Sequence, residues 1–198
     1  MTTARIDKRQ DILKAAMELF AEKGLRGTTT RDLASAADVN EAIIFRYFTN
    51  KTELYRAILE EKVHHGREER YKEVAQLAGT LDTQGFLEFI GHKFLEQHEQ
   101  DSTFMRLLLF SALEGHELSE MFLAATAIRD PMAAYLEKQM EKGTFRKMDP
   151  YLAARAFLGM FVCYTQMQEI FGQKKIRDYD RAEVVHTFVS IFLSGMKA

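Results

Sequence analysis

The sequence predicts an all-α protein, with an N-terminal three-helix helix-turn-helix head and a C-terminal helical bundle that contains a pair of strongly apolar helices. Three observations predict it. Only two prolines occur in 198 residues. No alternating strand-like run is bounded by Asn-Gly or Asp-Gly, and apolar residues recur at three- and four-residue spacing through most of the chain. Hydrophobic residues make up 46% and charged residues 28%, so the chain can bury a core, and a disordered or low-complexity polypeptide is excluded.

The first helix is expected over residues 6–23, where Ile12, Leu13, Ala16, Met17 and Phe20 share one face and Gly24 supplies the stop. Thr29 caps a short helix over 31–37, with Asp32 at the capping-box position. A second short helix, over 41–48, is capped by Asn40 and separated from the first by Asp38 and Val39. Two short helices joined so tightly form a helix-turn-helix pattern. Asn50, with Glu53 as its capping-box partner, opens a long helix with Leu54, Tyr55, Ile58, Leu59 and Val63 on its apolar side, expected to run past Arg67. Further helices are expected over 83–100, 103–113, 119–142, 150–171 and 181–196, and Pro131 should kink or split the third of these. The domains read as 1–50 for the head and 51–198 for the body.

Lys and Arg number 27 against 29 acidic residues, a net charge of −2, so any surface for nucleic acid must be local. Residues 1–56 hold ten basic and eight acidic side chains, a net of +2, which leaves −4 for the remainder. The single cysteine, Cys163, excludes an internal disulfide framework and an all-thiolate zinc site, and it suits a reducing compartment. The start MTTARIDKRQ lacks a secretory apolar segment, and no run reaches the ~18 apolar residues of a membrane span. A cytoplasmic protein without a membrane role is the expectation.

The stretch from Gly24 to Leu54 carries a more specific signal. It combines a glycine four residues before Thr28, Thr29 and Thr30, the Leu33-Ala34 and Ala37-x-Val39 positions, the run Phe45-Arg46-Tyr47-Phe48, and Lys51 at the start of the long helix. This pattern resembles the DNA-binding domain of TetR-type transcriptional repressors over about residues 8–58. The sequence departs from the usual family pattern at Asp38 and Ala42, where glycine is common, and at Glu41, where Lys or Arg is common.

Physical reasoning on the same residues agrees. A helix fits the major groove of B-DNA and can present its exposed side to base edges. On the second short helix Ile44 and Phe48, four apart, suit the core, which frees Glu41, Ala42, Ile43, Arg46 and Tyr47 for DNA. Arg46 can read guanine or hold a phosphate, Ala42 or Ile43 can touch a thymine methyl, and Tyr47 can donate to a phosphate. Thr29, Thr30, Arg31 and Lys51 are placed to hold the backbone, with Asn40 at the helix start. Glu41 would be repelled by phosphates unless it accepts from a cytosine amino group. The resemblance implies the same positions and a double-stranded operator as partner.

In the body, apolar residues of 150–171 and 181–196 fall on more than one face, so both helices must be covered on two sides. This predicts a homodimer held by a four-helix arrangement, with Ala156, Gly159, Met160, Cys163, Val185, Phe188, Val189 and Phe192 at the interface. Gly159 and Gly195 would permit close backbone approach, and two heads on a two-fold axis would read two half-sites of a palindrome. Twelve of fifteen phenylalanines and eight of ten methionines lie after residue 56, which suits a pocket for an apolar or aromatic small-molecule effector. Candidate lining residues are Phe86, Phe89, Phe104, Met105, Leu108, Leu109, Phe122, Met132, Phe161 and Met167, with His92, Tyr164 and Gln166 as polar anchors. The resemblance implies that the effector moves the heads apart.

Two other readings compete. A di-iron carboxylate bundle needs two Glu-x-x-His pairs, and Glu61/His64 and Glu183/His186 have that spacing. A dimeric interaction module that no longer reads DNA is the other. No Gly-rich phosphate loop, Gly-x-Ser-x-Gly elbow or His-Glu-x-x-His occurs, so neither an enzyme nor a cofactor or metal is expected.

Overall fold

The computed structural model describes residues 2–64, 67–115, 120 and 131–197. The described helices are α1 (Thr2–Gly27), α2 (Thr30–Ala36), α3 (Glu41–Tyr47), α4 (Lys51–His64), α5 (Arg67–Thr80), α6 (Thr83–Gln100), α7 (Thr103–Leu113), α8 (Pro131–Glu141), α9 (Pro150–Thr165) and α10 (Arg181–Met196). A π turn at Gln166–Ile170 and a 3-10 turn at Gln173–Lys175 follow α9. Extended pairing among the described residues is limited to one antiparallel bridge, Phe145 to Lys197.

The chain forms two compact units. One takes its described residues from 1–65 and 103–127, the other from 66–102 and 128–198. In the first, α1 buries Ile12, Leu13, Ala16 and Phe20 against Leu33 of α2, Ile44 of α3, Leu54, Tyr55 and Ile58 of α4, and Leu107 of α7. Phe20 and Tyr55 meet with ring centroids 5.7 Å apart, and the buried Tyr55 hydroxyl donates to the Leu107 carbonyl at 2.8 Å. Burial pushes that phenol up to about 12.

Gly24 breaks α1 rather than ending it, at φ 73 and ψ 172. The peptide N–H groups of Leu25 and Arg26, freed by the break, donate to the Glu114 carboxylate at 3.2 Å each. The positive φ requires glycine, and a Cβ at position 24 would displace the Glu114 carboxylate from these N–H groups. Farther on, Asn50 Oδ1 accepts from the Glu53 N–H at 2.8 Å and opens α4. The helix expected from there past Arg67 is seen as α4 and α5, and residues 65 and 66 lie outside the described ones. Of the helix expected over 119–142, Pro131 starts α8, where its missing N–H is no loss; 119 and 121–130 lie outside the described residues.

In the second unit Phe157 and Phe161 of α9 make edge contacts with Phe192 and Phe188 of α10 at 5.0 and 5.3 Å. A Cβ at Gly91 of α6 would sit 2.7 Å from the Phe161 ring, so the close approach comes at Gly91. At Gly159 and Gly195 a Cβ would meet nothing of the same chain within 4 Å, which leaves both positions open to a second copy.

This packing corrects part of the expected dimer face. Val185, Val189 and Phe192 are buried in their own subunit's core, and the half-buried Phe188 and Met160 pack against it. Once α10 turns Val185, Val189 and Phe192 toward α6 and α9, those three side chains have little surface left for a second copy, whereas Phe188 and Met160 keep part of theirs. The face left open carries Thr187, Ile191, Ser194 and Gly195 on α10, and Leu152, Ala156, Gly159 and Cys163 on α9.

Candidate functional site

Local hydrogen bonds set the helix-turn-helix. Asp32 N–H donates to Thr29 Oγ1 at 3.1 Å and Thr29 N–H donates back to Asp32 Oδ2 at 2.9 Å. The backbone bond from Thr29 holds the Asp32 carboxyl below its ordinary value. The turn passes through Asp38 at φ 49, a left-handed conformation that Asp tolerates better than most residues. Asn40 Oδ1 accepts from the Ile43 N–H at 3.0 Å and caps α3. Ile44 and Phe48 are buried, whereas Ala42, Phe45 and Arg46 are exposed and Glu41, Ile43 and Tyr47 half-buried.

Besides the capping residues Thr29 and Asn40, three expected DNA contacts, Thr30, Glu41 and Lys51, have partners inside the protein. Thr30 Oγ1 donates to Glu41 Oε2 at 2.8 Å, so this carboxylate braces α2 against α3. Lys51 Nζ donates to the carbonyls of Leu25 at 2.8 Å and Thr28 at 2.6 Å, which straps the end of α1 to the start of α4. Thr29 and Arg31 remain exposed. Arg46 lies over the Tyr47 ring at 5.4 Å, a contact that limits the rotamers of both.

Sequence reasoning missed two residues. Phe45 is 52% exposed, between Ala42 and Arg46 on the outward side of α3; its three-residue spacing from Ala42 was the available signal. Lys8 of α1 joins Asp38, Val39, Asn40, Ile43 and Arg46 around a groove of about 410 Å³, and nothing local in the sequence places Lys8 there.

The candidate effector residues divide between the units. In the first, Met105 is buried, Leu109 half-buried, and Phe104 and Leu108 pack on the core. In the second, Phe86 and Phe161 have no exposure and Met132 is buried. These side chains are core rather than open lining. Phe89 and Gln166 are half-buried, Met167 is exposed, and Phe122 lies outside the described residues. His92 and Tyr164 do line a cleft of about 690 Å³, whose other walls include Glu99, Gln168, Glu169, Lys174, Asp178, Tyr179, Asp180 and Arg181. Its walls are polar, unlike the apolar pocket expected. Arg181 donates to Glu99 Oε2 at 2.6 and 3.0 Å, and Lys174 to Glu169 at 3.1 Å. Burial, followed by the charges of Glu99, Asp178 and Glu169, raises the Tyr164 phenol.

Among the described residues no group of three or more His, Cys, Asp or Glu could hold a metal ion. His186 and Glu88 meet at 3.6 Å on the surface, and the Glu61/His64 pair falls partly outside the described side chains. No described helix is long and apolar enough to cross a membrane.

Comparison with known proteins bears on both units. Residues 12–58 match the family model described as bacterial regulatory proteins, tetR family. Residues 85–195 match that of the AefR-like transcriptional repressor, C-terminal domain. The HTH-type transcriptional regulator YvkB of Bacillus subtilis is 27% identical over 188 residues, 94% of this chain and 96% of YvkB. FadR of Bacillus subtilis, solved with stearoyl-CoA, is similar in fold with a TM-score of 0.75 at 19% identity, covering 94% of this chain and 98% of FadR. AibR, solved with isovaleryl coenzyme A and operator DNA, has a TM-score of 0.68 at 17% identity over 93% of this chain and 97% of its own.

Proposed function

Since the chain belongs to the tetR family of bacterial regulatory proteins, we propose that it is a cytoplasmic, homodimeric repressor that binds a palindromic operator and responds to a small-molecule effector. The observation that carries this reading is the α2–turn–α3 unit, capped at Thr29 and Asn40, braced by Glu41 and exposing Ala42, Phe45 and Arg46 on one side. Such a unit docks its second helix in the major groove. Arg46 takes guanine or a phosphate, Ala42 and Phe45 lie on thymine methyls, Ile43 and Tyr47 flank them, and Thr29 and Arg31 hold the sugar-phosphate chain. Lys8 adds a cation beside the groove next to Arg46. Residues 1–50 carry the reading elements, α4 and α7 complete their core, and within 51–198 the second unit carries pairing and effector sensing.

Two copies pair through the open stripes of α9 and α10, with Ala156, Gly159, Cys163 and Ile191 central. Their small side chains let helices approach, and burying the 59%-exposed Ile191 supplies apolar area. The acyl-CoA molecules in the FadR and AibR complexes support a response to a small molecule, which we assign to the second unit. The effector binds one conformation of the body better than the other and thereby shifts the separation of the heads away from the half-site spacing. No step involves catalysis.

Selection of duplexes from a random pool at two salt concentrations tests the reading, because phosphate contacts make affinity fall with salt. An inverted repeat should be enriched, with half-sites a whole number of helical turns apart. Recovery of no common sequence at either salt would leave the interaction module without DNA reading as the better account.

A further inference from the structure

We propose that the surface that takes a second copy runs past the end of α9 and across the π turn, so that Met167 and Phe171 pack against the partner. The inference rests on the pairing reading above and adds the large side chains that its centre lacks. Along α9 the exposed positions Leu152, Ala156, Gly159 and Cys163 are spaced by four, three and four residues, which is the spacing of one helical face. Continued at about 100° per residue, the helix would carry Phe171 roughly 80° away from Cys163 and off that line. The turn that follows is wider. The Phe171 N–H donates at 3.0 Å to the Gln166 carbonyl, five residues back, so the turn takes up one extra residue. That residue takes back about 100° and returns Phe171 to within about 20° of Cys163. Exposure follows this phase, since Cys163, Met167 and Phe171 are exposed whereas Thr165 and Gln168 are buried.

A second copy of this chain is the occupant that the surface fits. Among the described residues nine large apolar side chains are exposed, and six of them, Tyr151, Leu152, Met167, Phe171, Ile176 and Ile191, lie on α9, on α10 or on the turns between them. Such concentration marks an interaction surface, where single scattered residues would not. The line from Leu152 through Phe171 carries no charge at any of its six positions, so it can meet its own image across a two-fold axis without opposing like charges. Area supports the same occupant. The small side chains of Ala156, Gly159 and Cys163 let backbones approach, but they offer little of the about 800 Å² per copy that a stable interface buries. Phe171, 71% exposed, adds on the order of 100 Å² by itself, and the flexible thioether of Met167, 40% exposed, adapts to whatever shape faces it. Lys175 and Arg177, exposed just beyond the line, make an anionic bilayer the occupant to set against a second copy.

The test is fluorescence-detected sedimentation of the full chain and of its Phe171→Ala, Phe171→Leu, Met167→Ala and Leu113→Ala variants over a range of concentrations. A two-fold interface loses each altered side chain twice. Phe171→Ala should therefore raise the dimer dissociation constant about a hundredfold and Met167→Ala about tenfold, with helix content by circular dichroism unchanged because both positions are exposed in the single chain. Phe171→Leu, which restores most of the apolar bulk, should recover most of the loss. Leu113→Ala, at an exposed position on α7, should leave the constant as it is. If Ala156→Arg splits the dimer while Phe171→Ala and Met167→Ala leave it unaltered, the pairing reading stands and the extension over the π turn is overturned. A wild-type chain that is monomeric at every concentration overturns both. Binding to phosphatidylglycerol vesicles that Phe171→Ala abolishes, with dimerisation unchanged, gives the surface to a membrane and overturns the extension as well.

Discussion

Replacing Lys51 by Met separates two roles that the same lysine could play. The methionine keeps the length and the apolar stem and removes the ammonium, so the Leu25 and Thr28 carbonyls lose the bonds now at 2.8 and 2.6 Å. A hydrogen bond involving a charged group is worth roughly 1.5–3 kcal/mol when shielded from water. Lys51 is half-buried, and water can replace part of each bond, so about 1 kcal/mol apiece and about 2 kcal/mol together is the expected loss. For a chain of this size that lowers the melting temperature by about 4–8 °C. Circular dichroism melts give the shift, and binding of the selected duplex across a salt series gives the other half of the test. A strap within the head predicts a lower melting temperature with an unchanged slope of log affinity against log salt. An unaltered melt with a slope smaller by about one unit per lost phosphate contact would refute the strap and return Lys51 to the DNA backbone.

Glu41→Ala should lower head stability by about 1 kcal/mol in urea unfolding by removing the acceptor for Thr30, and it should not tighten operator binding; tighter binding would show that the carboxylate faces phosphates. Arg46→Ala should cost about 1–3 kcal/mol of operator affinity in gel-shift titrations while light scattering still reports the dimer. Phe161→Ala should destabilise the second core by about 3–5 kcal/mol, whereas Ala156→Arg, on the open side of α9, should yield monomers with unaltered helix content; a dimeric Ala156→Arg variant moves the interface elsewhere. Asp32 and Glu53 both titrate below their ordinary values, Asp32 through its bond from the Thr29 backbone and Glu53 through its bonds from Thr49. Their stabilisation is therefore complete above the unfolded values and is lost as pH falls through the lower folded ones. Urea midpoints should hold down to about pH 4 and decline below it, less steeply in an Asp32→Asn, Glu53→Gln double variant.

The features that could be read from sequence are those closed over three or four residues. Thr29 with Asp32, Asn40 with the Ile43 N–H, and Ile44 with Phe48 all lie within one turn, where spacing alone fixes the partner. The side chains whose partners spacing does not reveal have distant ones. Lys51 finds its carbonyls 23 and 26 residues back, Glu41 its hydroxyl 11 back, and Glu114 its peptide N–H groups 88 and 89 back. Periodicity showed α10 to be apolar on several sides. It carries no information on which side faces the subunit's own Phe157 and Phe161 and which faces outward, so it cannot tell the buried Val185, Val189 and Phe192 from the outward Ile191. The cleft was hidden for a similar reason, since its charges come from three separate segments.

The Glu114 carboxylate at the Gly24 break and Leu107 beneath Phe20 and Tyr55 bear on how such regulators can be recombined. The DNA-reading portion is discontinuous in the chain, since one wall of it, Leu107 and Glu114, is encoded about sixty residues downstream of α3. A graft of residues 1–50 onto a foreign sensor would arrive without α4 or α7, with Phe20 uncovered and the Leu25 and Arg26 amides unmatched. Exchange of specificity between relatives should therefore succeed by replacing the outward residues of α3 in place, and it should fail by cutting the chain at the end of the motif.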